Sequence, residues 1–338
     1  MSKPRRRATT HDVAAEAGVS QPTVSLVLSG NPRARVAAAT RRRVIEAASR
    51  LGYQPNMLAR GLVTRRSYAL GVVVPDLDNP FFTEVVSGAQ RVAVDAGYAV
   101  LLCDARGASA ADHVTALRGR LVDGIILDAG SAGILSLQSV GDTNVVVVDE
   151  PASSWPTVAS DAREAGRIAG RLLIELGHRT IAFLGPAIGT HTFRMRERGF
   201  VEALREAGLT IDSHHLRRVP ASVAGGARGM QALLSMEDAP TACFCVNDLV
   251  GIGALKACLS AGVPVPERMS IVGCDDIEMA RIVTPELTTV RIPAREMGAR
   301  AARLLISQIE QDSAPRSDRL LPVKLIERQT TAHAFTDA

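Results

Sequence analysis

The sequence predicts a multidomain chain: a small all-α segment at the N-terminus, then a two-lobed α/β core built on parallel sheets. Three observations carry this. Residues 1–66 hold 13 Arg and Lys against only Asp12, Glu16 and Glu46, whereas the rest of the chain is net acidic. At Tyr68 the apolar pattern changes from helical spacing to strand-length apolar runs alternating with helical stretches. That alternation restarts near Asp161, and 338 residues exceed what one such sheet needs.

The N-terminal segment carries three helical signals. Thr10 is placed to cap a first helix over 11–17, with Val13, Ala14 and Ala17 inward. Gly18 supplies the left-handed residue of a sharp turn. Ser20 can cap a second helix with Pro22 in its first turn and Val24, Val27 and Leu28 as its apolar stripe. A third helix runs from about Ala37 to Leu51, with Val44, Ala47, Ala48 and Leu51 inward. Beyond Pro55, Asn56 can cap a short helix, Met57 to Leu62. It contains Gly61, which costs about 1 kcal/mol relative to alanine, and is shorter than the ~12 residues an isolated helix needs. It is marginal by itself.

The core reads as "YALGVVVP", "YAVLLCD", "VDGIILD", "NVVVVDE", "TIAFLGP", "TACFCVN", "MSIVGCDD" and "TTVRIP", separated by helical stretches. Near-continuous apolar strands of this kind indicate parallel sheets covered on both faces. Two similar lobes facing each other across a cleft fit best, and ligands of such sheets sit beyond the carboxyl ends of the strands.

Other classes are excluded by composition. No run approaches the roughly 18 apolar residues of a membrane span. The basic start "MSKPRRRATT" is followed by no apolar segment, so it is not a secretory signal. The five cysteines lie scattered in apolar runs, and no C-x-x-C pair or His-rich tract supports zinc. We expect reduced, buried thiols, a cytoplasmic location, no metal and no cofactor.

Ala14, Gly18 and Val24 occupy the offsets at which two helices of a DNA-binding helix-turn-helix pack closely. With the basic segment around them, the pair is read as a DNA-binding headpiece. "TTHDVAAEAGVSQPTVSLVL" and "QPNMLARGL" resemble the headpiece and hinge of the LacI/GalR family of bacterial transcription regulators. The resemblance extends through "DNPFF", "VDGIIL", "GHRTIAFLGP", "FCVNDLVGIGAL", "MSIVGCDD" and "TPELTTV", nearly the whole chain. It implies a homodimer on a pseudo-palindromic operator, with a periplasmic-binding-protein-like core that senses a small molecule. The expected parts are a headpiece (1–54), a hinge (55–67), an N-terminal lobe (68–160 plus 291–320) and a C-terminal lobe (161–290 plus 321–338).

In the second helix Pro22 and Leu26 lie about 160° from Val24 at 100° per residue, and so face the major groove if this is the recognition helix. Apolar groups there can touch a thymine methyl but cannot hydrogen-bond a base edge. Family members often carry Arg, His or Asn where Leu26 stands; the competing reading packs Leu26 in the core. Hydrogen-bond readout falls mainly to Gln21, with Thr23 and Ser25 available for phosphate or base. By the resemblance, Leu62 matches a leucine that wedges into the minor groove, against a rival role in interdomain packing. Thr10, Ser20, Tyr53, Asn56 and Arg60 complete the candidate DNA-binding set. Arg5–Arg7, Arg33, Arg35 and Arg41–Arg43 are read as phosphate or solvent-facing charges.

Candidate effector residues fall at strand ends. Asn79, Phe81 and Phe82 in "DNPFF" resemble the family stretch that contacts a sugar, although one of the two phenylalanines is expected in the core. Asp128 and Asp149 end two further strands. Arg196 matches the family arginine that binds effector from the second lobe, with Arg194 and Arg198 as rivals. Asn247 and Asp275 match effector contacts, while Asp248 is expected to cap the following helix and Asp276 could do likewise. The stretch around Ala221 lacks the aromatic of some purine-binding members, which favours a sugar or sugar derivative.

"GIGALKA" lacks the third glycine and the acidic residue of a dinucleotide fingerprint, and its small residues are read as packing a helix on its sheet. No nucleophile–base spacing is evident among the seven histidines, so no catalysis is expected. A free-standing solute-binding protein would suit the core but not the basic headpiece, and a corepressor-dependent nucleobase-type regulator is the other rival. With no heptad-bearing tail, the expected assembly is a dimer.

Overall fold

The computed structural model describes residues 8–28, 36–53, 61, 64, 66–106, 110–120, 122–128, 140–149, 155–186, 189–311 and 320–335. Asn56, Arg60 and Leu62, with Arg5–Arg7, Arg33 and Arg35, lie outside the described residues. The chain forms two compact units, residues 1–68 and 69–338.

The first unit is three helices around one small core. Helix α1 (Thr10–Ala17) is capped by Thr9, one residue earlier than expected. Only that register puts an acid at the third helical position. Asp12 Oδ2 accepts the Thr9 backbone N–H at 2.8 Å, and Thr9 Oγ1 accepts the Asp12 N–H at 3.3 Å, a reciprocal capping box. The hydroxyl of Thr10 meets that of Tyr53 instead, 2.8 Å away, tying the start of α1 to the end of the three-helix unit. Gly18 takes φ 61, as the turn requires, and α2 (Gln21–Leu28) follows, with Ser20 Oγ 3.4 Å from the Thr23 N–H. Helix α3 (Ala38–Arg50) closes the unit. Val13, Ala14, Ala17, Val24, Val27, Val44, Ala47 and Ala48 form the core, with Leu28 and Tyr53 packed against it. Leu51 is not inward as expected. It is 37% exposed, because it lies past the last turn of α3, where the helical stripe no longer directs it.

The second unit contains two sheets. The first comprises β1 (Ala69–Val74), β2 (Ala99–Asp104), β3 (Gly124–Asp128), β4 (Asn144–Val148) and β5 (Thr157–Val158), in the order β2-β1-β3-β4-β5 and all parallel. Helices α4 (Pro80–Asp95) and α5 (Ala110–Gly119) make its crossovers. The central strands β3 and β4 are buried along almost their whole length. Edge strand β2 is half-exposed, with Leu102 at 43%, so the apolar run there did not signal burial on both faces.

After α6 (Ala162–Glu175) the second sheet is built from β6 (Ile181–Gly185), α7 (His191–Glu206), β7 (Leu216–Arg218), α8 (Val223–Leu234), β8 (Ala242–Cys245), α9 (Asp248–Ser260) and β9 (Ser270–Asp275). It is completed by α10 (Met279–Ile282), β10 (Thr288–Arg291), α11 (Ala294–Gln311) and β11 (Lys324–Ile326). Its order is β11-β10-β9-β8-β6-β7, parallel except for β11 against β10. Helix α11 leaves this sheet and packs on α4, β3 and β4 of the first. A Cβ at Gly298 would lie 1.9 Å from the carbonyl oxygen of Val85, so glycine is what permits that contact. The chain thus passes between the sheets at Ser160–Asp161, after β10, and before β11. The first and last passages are bonded together: Leu321 N–H to Ala159 O at 2.8 Å and Asp161 N–H to Leu321 O at 3.0 Å.

Gly253 of "GIGALKA" meets the backbone of α8, where an added Cβ would sit 2.0 Å from the Val223 carbonyl oxygen. The small residue therefore packs helix on helix rather than helix on sheet. All five thiols are free, and Cys103 is only half-buried.

Candidate functional site

In the first unit, α2 buries Val24 completely and leaves Leu26 41% exposed. The alternative that packed Leu26 in the core is thereby excluded. Ser20, Gln21, Pro22 and Ser25 are exposed beside it, and Thr23 is half-buried. The outer face of α2 and its cap therefore offers an amide, the exposed hydroxyls of Ser20 and Ser25, and two apolar side chains, Pro22 and Leu26. Of the basic residues on α3, Arg42 approaches Glu46 at 3.9 Å and Arg50 pairs with Glu16 at 3.1 Å. Arg43 is exposed.

In the second unit the strand ends gather charge. Arg196, on α7, is 1% exposed. Its Nη1 donates to the main-chain oxygen of Val246 at 2.8 Å, just past β8, and its Nη2 lies 2.9 Å from Asp275 Oδ1 at the end of β9. Among the described residues its Nε is buried without a hydrogen-bond partner. Burial works against the charge on Arg196, but the attraction of Asp275, and further off Asp149, holds the guanidinium protonated. Burial raises the Asp275 carboxyl to about 6 against the pull of Arg196, which leaves it ionised at neutral pH.

Asp149 connects the two sheets. It follows β4, and its main-chain oxygen accepts a hydrogen bond from the Thr192 hydroxyl at the start of α7. Asp149, Asp275 and Asp276 take φ of 67°, 126° and 59°. Left-handed and neighbouring conformations cost free energy in residues other than glycine and collect at ligand sites.

Several expectations are corrected here. Asn247, not Asp248, caps α9: its Oδ1 accepts the Val250 N–H at 3.0 Å. Asp248 points back under the β9–α10 loop, where it accepts from the Thr289 hydroxyl at 2.5 Å and the Ile277 N–H at 2.9 Å. Fully buried, it is raised to about 7 by that burial and by the nearby Asp275. Asp276 caps nothing. Arg291 at 2.6 Å and Arg281 at 3.4 Å pair with it, as does Arg328. Asn79 is likewise the cap of α4, accepting the Phe81 N–H at 3.1 Å. Phe81 is the core member of its pair, 4% exposed, and Phe82 is half-buried against it with ring centres 5.3 Å apart. Asp128 is buried at the end of β3, in register with Val148.

Two cavities flank this group. One, about 540 Å³, is lined by Asp149, Ser160, Asp161, His191, Thr192 and Met195 among others. The other, about 650 Å³, is lined by Phe81, Glu84, Asp275, Asp276, Arg281 and Arg291 among others. Asp149 lines the first of these cavities and Phe81 and Asp275 the second, whereas Arg196, Asn247, Asn79, Phe82 and Asp128 line neither. Arg196 reaches the region through its bond to Asp275. Sequence reasoning missed Thr192, whose neighbour Thr190 at the helix cap was the visible signal, and it missed the anchoring roles of Asp248 and Asp276.

A headpiece of this form joined to this core can be matched. Residues 9–56 fit the description "Bacterial regulatory proteins, lacI family", and residues 171–331 fit "Periplasmic binding protein-like domain". The chain is 33% identical over 336 residues to the HTH-type transcriptional repressor CytR of Escherichia coli, covering 97% of this chain and 98% of that one. The chain belongs to the LacI family of bacterial regulatory proteins. It is a DNA-binding transcriptional regulator with a ligand-binding core of the periplasmic-binding-protein type. The Lac repressor dimer bound to operator and the anti-inducer ONPF superposes with a TM-score of 0.82 at 27% identity, covering 97% of this chain and all of that one. A LacI family regulator from Enterococcus faecium with bound ribose gives 0.72 at 29% identity, over 79% of this chain and all of that one. Among the described residues, no helix is long and apolar enough to cross a membrane.

Proposed function

We propose that this LacI family member is a dimeric cytoplasmic repressor, binding a palindromic operator and controlled by a sugar or sugar derivative in the cleft of its core. The observation that carries the effector reading is Arg196: a buried guanidinium held by Asp275 and the Val246 carbonyl, with its Nε–H still to be satisfied among the described residues. Buried polar groups call for partners, and a hydroxyl-rich molecule supplies both acceptors for Arg196 and donors for Asp149 and Asp275. Asn247 uses its oxygen as a cap, which leaves its amide N–H groups for a ligand oxygen. The Enterococcus faecium relative with bound ribose supports the same class.

For the DNA side we assign Gln21, Thr23, Ser25 and Leu26 to base and phosphate contact, with Thr10, Ser20, Pro22 and Tyr53 positioning the helix. Asn56, Arg60 and Leu62 are assigned to the hinge. The core divides into lobes at 68–160 with 291–320, and 161–290 with 321–338. The dimer is proposed from the Lac repressor dimer that the chain resembles. The reading is of a binding protein and not an enzyme, which rests on relatives named as regulators.

The test is isothermal titration of the full chain with a panel of pentoses, hexoses and disaccharides, repeated on Arg196→Lys. Binding of one sugar with at least tenfold loss in the variant supports the assignment. Equal affinity in both proteins would sink it.

A further inference from the structure

Strand β7 is the last of its sheet and, among the described residues, pairs with β6 alone. The loop entering it and the turn after α8 bring together Asp212, His214, His215 and Asp238, with one ligand-type atom from each lying within 4.8 Å of the others. His214 Nε2 is 2.8 Å from Asp238 Oδ2, and His215 Nε2 is 3.5 Å from the same oxygen. One carboxylate oxygen therefore sits between two imidazole nitrogens. We propose that these four side chains bind a divalent transition-metal ion of the zinc class.

The donor set suits that class. Two imidazoles and two carboxylates match the borderline ions, whereas calcium and magnesium take oxygen ligands. The two carboxylates also balance the charge of the ion. Zinc bonds of 2.0–2.1 Å in a tetrahedron place neighbouring donors about 3.3 Å apart. The Asp238–His215 separation, 3.5 Å, is close to that length. The His214–Asp238 pair has to open by about 0.5 Å, and these side chains are 45% and 55% exposed, so they are able to move.

His215 is the fixed point. Its side chain is 3% exposed. Its backbone N–H donates to Asp212 O at 2.9 Å, and its carbonyl accepts the Phe183 N–H of β6 at 3.0 Å. Its Nε2 faces the main-chain oxygen of Asp238 at 3.0 Å. On binding, the ring changes tautomer, Nε2 releasing its proton to water and Nδ1 taking one up, so that neutral Nε2 exchanges that hydrogen bond for the ion. One buried, preset ligand lowers the ordering cost of the site, which falls on the three exposed ligands. Asp212, His214 and His215 are close in sequence, but Asp238 lies 24 positions from His214, and the fold alone brings it to them. Metal at this point would cross-link the edge strand's entry loop to the α8–β8 turn, a role separate from DNA or effector binding.

The full-length protein, stripped with EDTA and dialysed, should bind one Zn²⁺ per chain by calorimetry and melt at a higher temperature with zinc present. His214→Ala and Asp238→Asn change exposed residues, so they should fold normally by circular dichroism, lose at least tenfold in zinc affinity and lose the thermal shift. Absence of stoichiometric binding in the parent protein would overturn the proposal. So would unchanged zinc affinity in a variant carrying both substitutions.

Discussion

Arg196 and Asp275 form an ion pair at 2.9 Å in which the side chains are only 2% and 5% exposed. A charged pair so deeply placed contributes little net stability, since both ions lose their water, but removing one partner strands the other. Arg196→Ala should therefore lower unfolding free energy by ~3–5 kcal/mol in urea titrations. Arg196→Leu with Asp275→Leu together should cost much less. If the single change costs no more than a surface substitution, the pair does not hold the α7–β9 contact as described.

Acidity gives a second expectation. Asp248 and Asp275 are raised by burial to about 7 and about 6, from 3.8 in an open chain. Between those limits the folded protein holds protons that the unfolded chain has released. By linkage, their contribution is fully present below about pH 4 and is lost as pH rises through 6 to 7. Asp248→Asn keeps a similar shape without the titration. Its stability between pH 4 and 7 should fall less steeply than the parent's; parallel curves would show that Asp248 does not titrate in this window.

Leu26 separates stability from specificity. Exposed on α2, its truncation to alanine should shift stability by less than about 0.5 kcal/mol. Operator affinity should drop by about tenfold, within the ~1–3 kcal/mol span of base discrimination, with the loss confined to sites carrying thymine at one position. An equal loss on all sequences would make Leu26 a nonspecific contact.

Two neighbouring threonines should behave differently. Thr9→Ala removes the cap of α1 and should cost about 1 kcal/mol, with faster hydrogen exchange at the Asp12 amide. Thr10→Ala leaves the cap and removes only the hydroxyl pair with Tyr53. Faster exchange at Asp12 in Thr10→Ala and not in Thr9→Ala would reverse the assignment.

The helix-turn-helix followed from local signals: Gly18 at the turn, Val24 inward and Leu26 outward at helical spacing. The order of strands and helices in the core was equally local. The errors have a different origin. Thr9 and Thr10, or Asn247 and Asp248, are adjacent residues of similar capping ability, and the choice depends on which backbone leaves the helical conformation. Asp276 and the Asp212–His215–Asp238 group depend on contacts across many residues, such as Asp276 with Arg328, which no spacing rule records. Strand β7, "LRR", was invisible because an edge strand with exposed arginines lacks an apolar run.

The most direct test of the central claim is fluorescence anisotropy of the full chain on DNA selected from a palindromic pool, titrated with salt and then with the sugar panel. The account predicts selective binding that weakens steeply as salt rises. One sugar should shift the parent's affinity, and Arg196→Lys should blunt that shift. Operator affinity that no sugar in the panel alters, or a shift that survives unchanged in Arg196→Lys, would contradict it.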